Sequence, residues 1–291
     1  MINDKLIQVE VLINSTLENV WLAWTQAQFI TEWNFASEDW CCPNATNNLY
    51  DGGSFSWRME AKDGSFAFDF SGKYNLIEQF NRIEETLDDG RKVTIQFIKT
   101  ENGCKVIETF EPESQNPIEL QQMGWQAILD NFKKFVESYF SKNSLKFEII
   151  IEAPIETVYE KMLAEDGYRE WTKVFNEHSH FVGSWNKGDK ILFIGLDKDG
   201  NKGGMVSRIK ENIKDKFVSI EHLGMIQGEE EITSGPEVEK WVGGKENYSF
   251  FDLGNSTKLV VELDSVEEFA NYFNEQYPMS LNILKEICER G

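Results

Sequence analysis

One pattern occurs twice in this chain, and no other feature limits its fold as strongly. Residues Val9 to Trp33 and Phe147 to Trp171 each carry an apolar strand, a helix-start signal, a short amphipathic helix and then an acid followed by Trp. The first copy reads Val11-Leu12-Ile13-Asn14-Ser15-Thr16-Leu17-Glu18-Asn19-Val20-Trp21, with Thr31-Glu32-Trp33 following. The second reads Ile149-Ile150-Ile151-Glu152-Ala153-Pro154-Ile155-Glu156-Thr157-Val158-Tyr159, with Arg169-Glu170-Trp171 following. One offset aligns both parts without a gap. Solenoid repeats have periods of roughly 20–50 residues, so a unit of this length repeated once implies two domains. The boundaries read as 1–142 and 145–291. A length of 291 residues suits two domains of ordinary size, each with its own core.

The same order of elements runs through both halves. Val9, Val11 and Ile13 alternate with Glu10 and Leu12 in a first strand. Ser15-Thr16-Leu17-Glu18 reads as a capping box with Ser15 as the cap, and Leu17, Val20, Trp21 and Trp24 share a helical face. A second short helix is expected around Ala27 to Trp33, then an irregular stretch through Asp39 to Asn44. Asp51-Gly52-Gly53 opens a run of strands: Phe55 to Met59, Phe66 to Phe70, Tyr74 to Ile77, Ile83 to Leu87, Val93 to Phe97 and Val106 to Phe110. Asn116-Pro117-Ile118-Glu119, with Asn116 as cap, starts a helix to about Tyr139, its apolar stripe being Ile128, Phe132, Phe135, Val136 and Tyr139.

After the polar linker Ser141-Lys142-Asn143-Ser144 the order repeats. Pro154 starts a helix, with Glu156 as a capping acid. Strands are expected around Lys190 to Gly195, Gly204 to Lys210, Phe217 to His222, Tyr248 to Leu253 and Lys258 to Leu263. Ser265-Val266-Glu267-Glu268 opens a helix ending near Tyr277-Pro278, and a separate helix covers Met279 to Glu289. A Gly- and Glu-rich connection, Gly228 to Gly244, is the one long insertion of the second copy. Each half is thus α+β: a curved antiparallel sheet with two short helices after its first strand, gripping a long C-terminal helix. The space between sheet and helix becomes core or pocket.

These motifs resemble the START-like (SRPBCC, helix-grip) superfamily, and within it the branch named after the activator of the heat-shock protein 90 ATPase. The resemblance rests on Ser15 to Trp21, Glu32-Trp33, Asp51-Gly52-Gly53-Ser54-Phe55, Val93-Thr94-Ile95-Gln96-Phe97 and Gly124-Trp125 in the first copy. The second keeps Ala153 to Tyr159, Glu170-Trp171 and Lys187-Gly188-Asp189, but has Met279-Ser280-Leu281 in place of Gly-Trp. The resemblance implies two helix-grip domains. It does not imply one activity, since the superfamily includes lipid and hormone carriers, aromatic cyclases and oxygenase domains. The branch takes its name from a co-chaperone with one copy of this fold beside a different N-terminal domain, whereas here there are two copies.

Composition narrows the choices. Fifty acidic side chains against 29 basic ones give a net charge of −21, and both halves are acidic. Such a surface repels phosphate backbones and anionic lipid, which argues against nucleic acid and membranes as partners. No apolar run approaches the roughly 20 residues of a membrane span. Met1 to Lys5 shows no signal-peptide core, and Cys41, Cys42, Cys104 and Cys288 form no C-x-x-C pair, so a reducing cytoplasm is expected.

Residues with catalytic capacity are few. The three histidines, 178, 180 and 222, all lie in the second copy. His178 and His180 would share a face in a strand, but two ligands without a third do not make a metal site, and no metal or cofactor is assigned. His222, in a strand among apolar neighbours, is the one weak candidate for acid–base catalysis. In the first copy the carboxylates to weigh are Asp69 and Glu108, in strands whose opposite face is expected to meet solvent. No nucleophile elbow or phosphate loop is present. The aromatic residues remain: Trp33, Trp57, Phe68, Tyr74, Phe97 and Trp125, with Trp171 and His222 in the second copy, are the candidate ligand-binding residues. Trp33 and Trp171 are equally readable as anchors of the short helix. The preferred reading is a binding protein for a small apolar or aromatic ligand. The alternatives are a chaperone-interacting or stress-response module, and a cyclase- or dehydratase-like enzyme using His222.

Overall fold

A computed structural model describes residues 6–140, 144–265 and 267–290. Ser141 to Asn143 of the expected linker, Val266 of the expected capping box and Met1 to Lys5 lie outside the described residues. The chain divides into two compact units between residues 142 and 143. Each is α+β, an antiparallel curved sheet with a long C-terminal helix.

In the first unit β1 (Ile7–Ile13) leads into α1 (Leu17–Thr25) and α2 (Ala27–Trp33). Six strands follow: β2 (Trp40–Asn47), β3 (Ser54–Ala61), β4 (Ala67–Glu78), β5 (Arg82–Leu87), β6 (Lys92–Thr100) and β7 (Gly103–Phe110). The closing helix is α3 (Ile118–Tyr139). The sheet order is β1-β7-β6-β5-β4-β3-β2. Period-two alternation puts Ile7, Val9, Val11 and Ile13 inside, and α3 buries Leu129, Phe132 and Val136 above them.

The helix also closes the exposed edge of β1. Gln126 accepts from the Glu10 N–H (3.3 Å) and donates to the Glu10 carbonyl (3.2 Å), and Glu137 accepts from the Asn14 N–H (2.8 Å). Free strand edges template unwanted pairing, and side chains of α3 occupy this one.

The second unit repeats the plan: β8 (Ser144–Ile151), α4 (Ile155–Leu163), α5 (Glu165–Thr172), β9 (His180–Gly183), β10 (Lys190–Leu196), β11 (Lys202–Ile213), β12 (Phe217–Gln227), β13 (Glu230–Ile232), β14 (Lys245–Asp252), β15 (Thr257–Asp264) and α6 (Glu267–Glu289). The order β8-β15-β14-β12-β11-β10-β9 matches the first sheet strand for strand, with β13 added beside β12. The edge device recurs with other residues: Lys285 Nζ donates to the Ile150 carbonyl and the Glu152 N–H to Glu289, both at 2.7 Å.

Several local expectations are corrected. Thr16, not Ser15, caps α1, its hydroxyl accepting from the Asn19 N–H at 3.3 Å. Asn116 caps nothing: its side chain donates to Glu113, and Pro117 holds the cap position of α3. Pro154 likewise precedes α4 as its cap residue instead of starting it. The stretch expected to be irregular is β2, an edge strand bulged between Cys41 and Asn44; an edge tolerates the missing N–H of Pro43. The two strands expected between Phe66 and Ile77 are one, β4, with a register shift between Tyr74 and Leu76.

The two helices expected after residue 265 are also one, running through Pro278. An interior Pro costs about 3 kcal/mol. Tyr277, Leu281 and Leu284 are buried around it, each contributing about 1.5–3 kcal/mol, so packing outweighs the breaker.

Candidate functional site

In the first unit the sheet and α3 do not close on each other completely. A cavity of about 270 Å³ lies between them. Its walls are Trp24 and Trp33 from the short helices, Trp57, Met59, Phe68 and Phe70 from β3 and β4, and Trp125, Ile128 and Leu129 from α3. The rings brace one another: Trp125 stacks on Phe110 at 3.8 Å, Trp24 lies 5.2 Å from Trp33, and Trp33 lies 6.3 Å from Trp57.

Two features of this wall are chemically unusual. The Trp57 indole is 5% exposed, and its Nε1–H has no acceptor. Glu108 of β7 also lines the cavity, at 9% exposure. Burial is the sole influence on its carboxyl and pushes it up to about 8, with no hydrogen bond or opposite charge to hold it ionised. Glu85 of β5 is buried too. Burial first, and the neighbouring Glu108 second, raise it well above the carboxylate range, and its Oε2 has no partner. The wall therefore carries one carboxyl, Glu108, that burial keeps neutral at neutral pH; Glu85 does not line the cavity, whereas Arg91 and Glu113 do. Buried polar groups without partners are costly.

Both acids were legible from strand parity. Glu108 shares a face with Cys104, Val106 and Phe110, and Glu85 with Ile83 and Leu87, all buried. The expectation that weighed Asp69 beside Glu108 is corrected: Asp69 is exposed and pairs with Arg58 at 3.3 Å, while Glu108 points inward.

The second unit builds a different site. His222 of β12 is 6% exposed. Ser207 Oγ lies 3.0 Å from its Nδ1, and Glu246 Oε2 lies 3.5 Å from its Nε2. Glu246 Oε1 accepts from the hydroxyl of Tyr248 (2.5 Å) and from that of Tyr277 on α6. Burial opposes ionisation of Glu246, but His222 and the two phenols outweigh it, so the carboxyl sits below its ordinary value. The same Glu246 charge, added to burial, raises Tyr248 and Tyr277 well above the usual phenol range. His222 and Glu246 line two adjoining cavities of about 320 Å³ and about 750 Å³. The Gly228 to Gly244 connection reaches the larger one through Glu237 and Trp241. It is tied to His222 by backbone bonds: the His222 N–H donates to Gly244, and the Gly243 N–H to the His222 carbonyl.

The residues singled out in the sequence fall into three groups. Trp33, Trp57, Phe68 and Trp125 meet around the first cavity, and Trp171 and His222 line the smaller cavity of the second unit. Tyr74 and Phe97 are not brought to either. Tyr74 is buried against Phe55, with its hydroxyl on Asn47, and Phe97 packs edge-on against Trp21 and Trp24. Their inward parity is right, but they sit where the core is filled. Trp33 and Trp171 also act as anchors: their indole N–H groups donate to the Ala23 carbonyl (3.1 Å) and the Met162 carbonyl (2.9 Å), tying the second short helix to the first in each copy.

His178 and His180 do not face a common partner; His180 Nδ1 lies 2.9 Å from the His178 carbonyl oxygen. Gly204 sits at φ +143°, where a Cβ would come within 1.9 Å of the Phe193 carbonyl oxygen, so this glycine serves close strand approach. Among the described residues no helix is long and apolar enough to cross a membrane. Sequence reasoning missed Glu246, which shares an inward face with Tyr248 and Phe250, and missed Tyr277 as its partner.

Comparison with known proteins bears on the first unit. Residues 14–137 match the family model for Activator of Hsp90 ATPase homolog 1-like protein. The AHSA1-like protein from Aeromonas hydrophila is 42% identical over 46% of this chain and 94% of that one, with a TM-score of 0.45. A protein from Cytophaga hutchinsonii is 46% identical over 46% of this chain and 92% of its own, with a TM-score of 0.42. A comparison with curated proteins gives no match. With the family model matched across nearly all of the first unit, and identity above 40% over nearly the whole of two such relatives, the chain belongs to the family of activator of Hsp90 ATPase homolog 1-like proteins.

Proposed function

We propose that this chain is a binding protein whose first unit holds a small, uncharged, ring-bearing molecule between sheet and α3. The observation that carries the reading is the aromatic cavity with two unmet hydrogen-bonding groups in its wall, the Trp57 N–H and the neutral Glu108 carboxyl. An indole N–H can only donate, and a protonated carboxyl needs an acceptor for its proton. A ligand with an apolar ring body and a hydrogen-bond acceptor at its edge satisfies both, and the ring packs against Trp24, Trp33 and Trp125. The family is one of ligand-binding or chaperone-associated modules, and the cavity favours the first of these.

Native mass spectrometry of protein purified from its own host, repeated under denaturing conditions, tests the reading. The expected result is a mass excess in the native spectrum that disappears on denaturation, and that a Trp57→Phe, Glu108→Leu double variant lacks. A bare mass for the wild-type chain, or an excess unchanged in the double variant, removes this cavity as the binding site.

A further inference from the structure

The second unit has its own chemistry, and it differs in sign from the first. Among the described residues, its two adjoining cavities are lined between them by three carboxylates, Glu237, Glu246 and Asp264, and by no Lys or Arg. Lys245, next to Glu246 in β14, has Asp264 and Glu221 as its favourable electrostatic neighbours. Glu246 is the buried member. It is held as a carboxylate, unlike Glu108, and two phenols on one oxygen supply hydrogen bonds but no charge. Its other oxygen lies 3.5 Å from His222 Nε2, the neighbour that does most to hold it ionised. Buried charges are normally paired. Here Glu246 has His222 beside it, and both line about 750 Å³ of space.

The rest of that space is aromatic. Trp241 enters from the long connection, and Phe269, Tyr272 and Phe273 from the first turns of α6. Phe269 and Tyr272 are 46% and 43% exposed, large for rings beside a cavity. Ring faces carry negative quadrupoles that attract cations, most strongly in Trp, and an attracted cation still needs a formal negative charge as its anchor. Trp241 is held by its own N–H on the Glu237 carbonyl (3.1 Å), and the β12–β14 connection that carries it has no counterpart in the short β5–β6 turn of the first unit.

We infer that the larger cavity of the second unit binds an organic cation, an ammonium group on an apolar or ring-bearing body, with the charge at Glu246 beside His222 and the body against Trp241, Phe269, Tyr272 and Phe273. This site is independent of the one proposed for the first unit, and it lies outside residues 14–137, where the family model matches.

Three probes that share one ring and chain but differ in charge test it on the full-length protein: tryptamine as cation, tryptophol as neutral alcohol and indole-3-propionate as anion, each titrated calorimetrically at pH 7. Tryptamine is expected to bind at least tenfold more tightly than tryptophol, and indole-3-propionate more weakly than either. Glu246→Gln is expected to erase the tenfold preference and leave tryptophol binding within twofold. Trp241→Ala, on a connection outside the packed core, is expected to weaken tryptamine severalfold and tryptophol less, and needs no change to the buried cluster. Equal affinity for tryptamine and tryptophol, a preference that survives in both variants, or no binding of any probe overturns the inference. None of these results touches the first unit, whose reading is decided by Trp57 and Glu108.

Discussion

Replacing Glu108 by Gln should weaken the pH dependence of stability of the first unit. The folded carboxyl sits at about 8 against an ordinary value of 4.5. Between those values the unfolded chain has released its proton and the folded chain still holds one, so unfolding releases a proton and stability falls as pH rises. The slope approaches 1.4 kcal/mol per pH unit for one group, and the fall is complete above about pH 8. The difference of 3.5 units corresponds to about 5 kcal/mol, an upper value because water entering the cavity relieves part of it. Gln keeps the shape and has no proton to lose. Glu85 remains in the variant, with one cause of its own upward shift removed, so its contribution to the slope shrinks in the same direction.

Urea unfolding at pH 5, 6, 7, 8 and 9, followed by tryptophan fluorescence, measures this. Six of the nine tryptophans (21, 24, 33, 40, 57 and 125) lie in the first unit and make the signal report on it. The wild type should lose stability steadily from pH 5 to pH 8, and Glu108→Gln should lose several kcal/mol less over the same range. Parallel curves would mean that Glu108 titrates as an ordinary surface acid. That outcome refutes both its neutral state and the donor count on which the proposed ligand rests.

Two further outcomes follow from the repeat. Trp33→Phe and Trp171→Phe should each cost about 1 kcal/mol or somewhat more, because each leaves a buried helix carbonyl, of Ala23 or Met162, without its donor; chemical denaturation of each variant reads the cost, and an effect in one copy alone would show that the anchor is not shared. The fragments 1–142 and 145–291 should each give a dispersed amide proton spectrum, as the contact division near residue 142 implies, and two collapsed spectra would mean that the units are not independent domains.

The comparisons bear out the family that the motifs resemble, and the structure bears out the α+β architecture, whose elements rest on local signals. Strand alternation in Val9, Val11 and Ile13, and the spacing of Phe132 and Val136, specify which face is buried whatever packs against it. Parity also held more than was taken from it: Glu85, Glu108 and Glu246 all stand in inward register among apolar neighbours. Breakers and caps were less legible. Pro278 and Pro43 read locally as stops, yet one lies inside α6 and the other in an edge strand, because packing and edge position outweigh their local cost.

What only tertiary structure decided is where the interior is empty and which polar groups meet there. Trp57 and Phe97 carry the same inward signal, but one lines a cavity and the other fills the core around Trp21 and Trp24. Glu246 becomes an ionised centre only because Tyr277, 31 residues away on α6, and His222 on a neighbouring strand arrive at the same carboxylate. By itself the sequence determined two sheets, the long helix of the first unit and the faces turned inward; packing decided that the helical segments on either side of Pro278 are one. The volume left between those faces, and the charge state of an acid within it, depend on side chains from elements far apart in the chain, and local periodicity does not encode their distances.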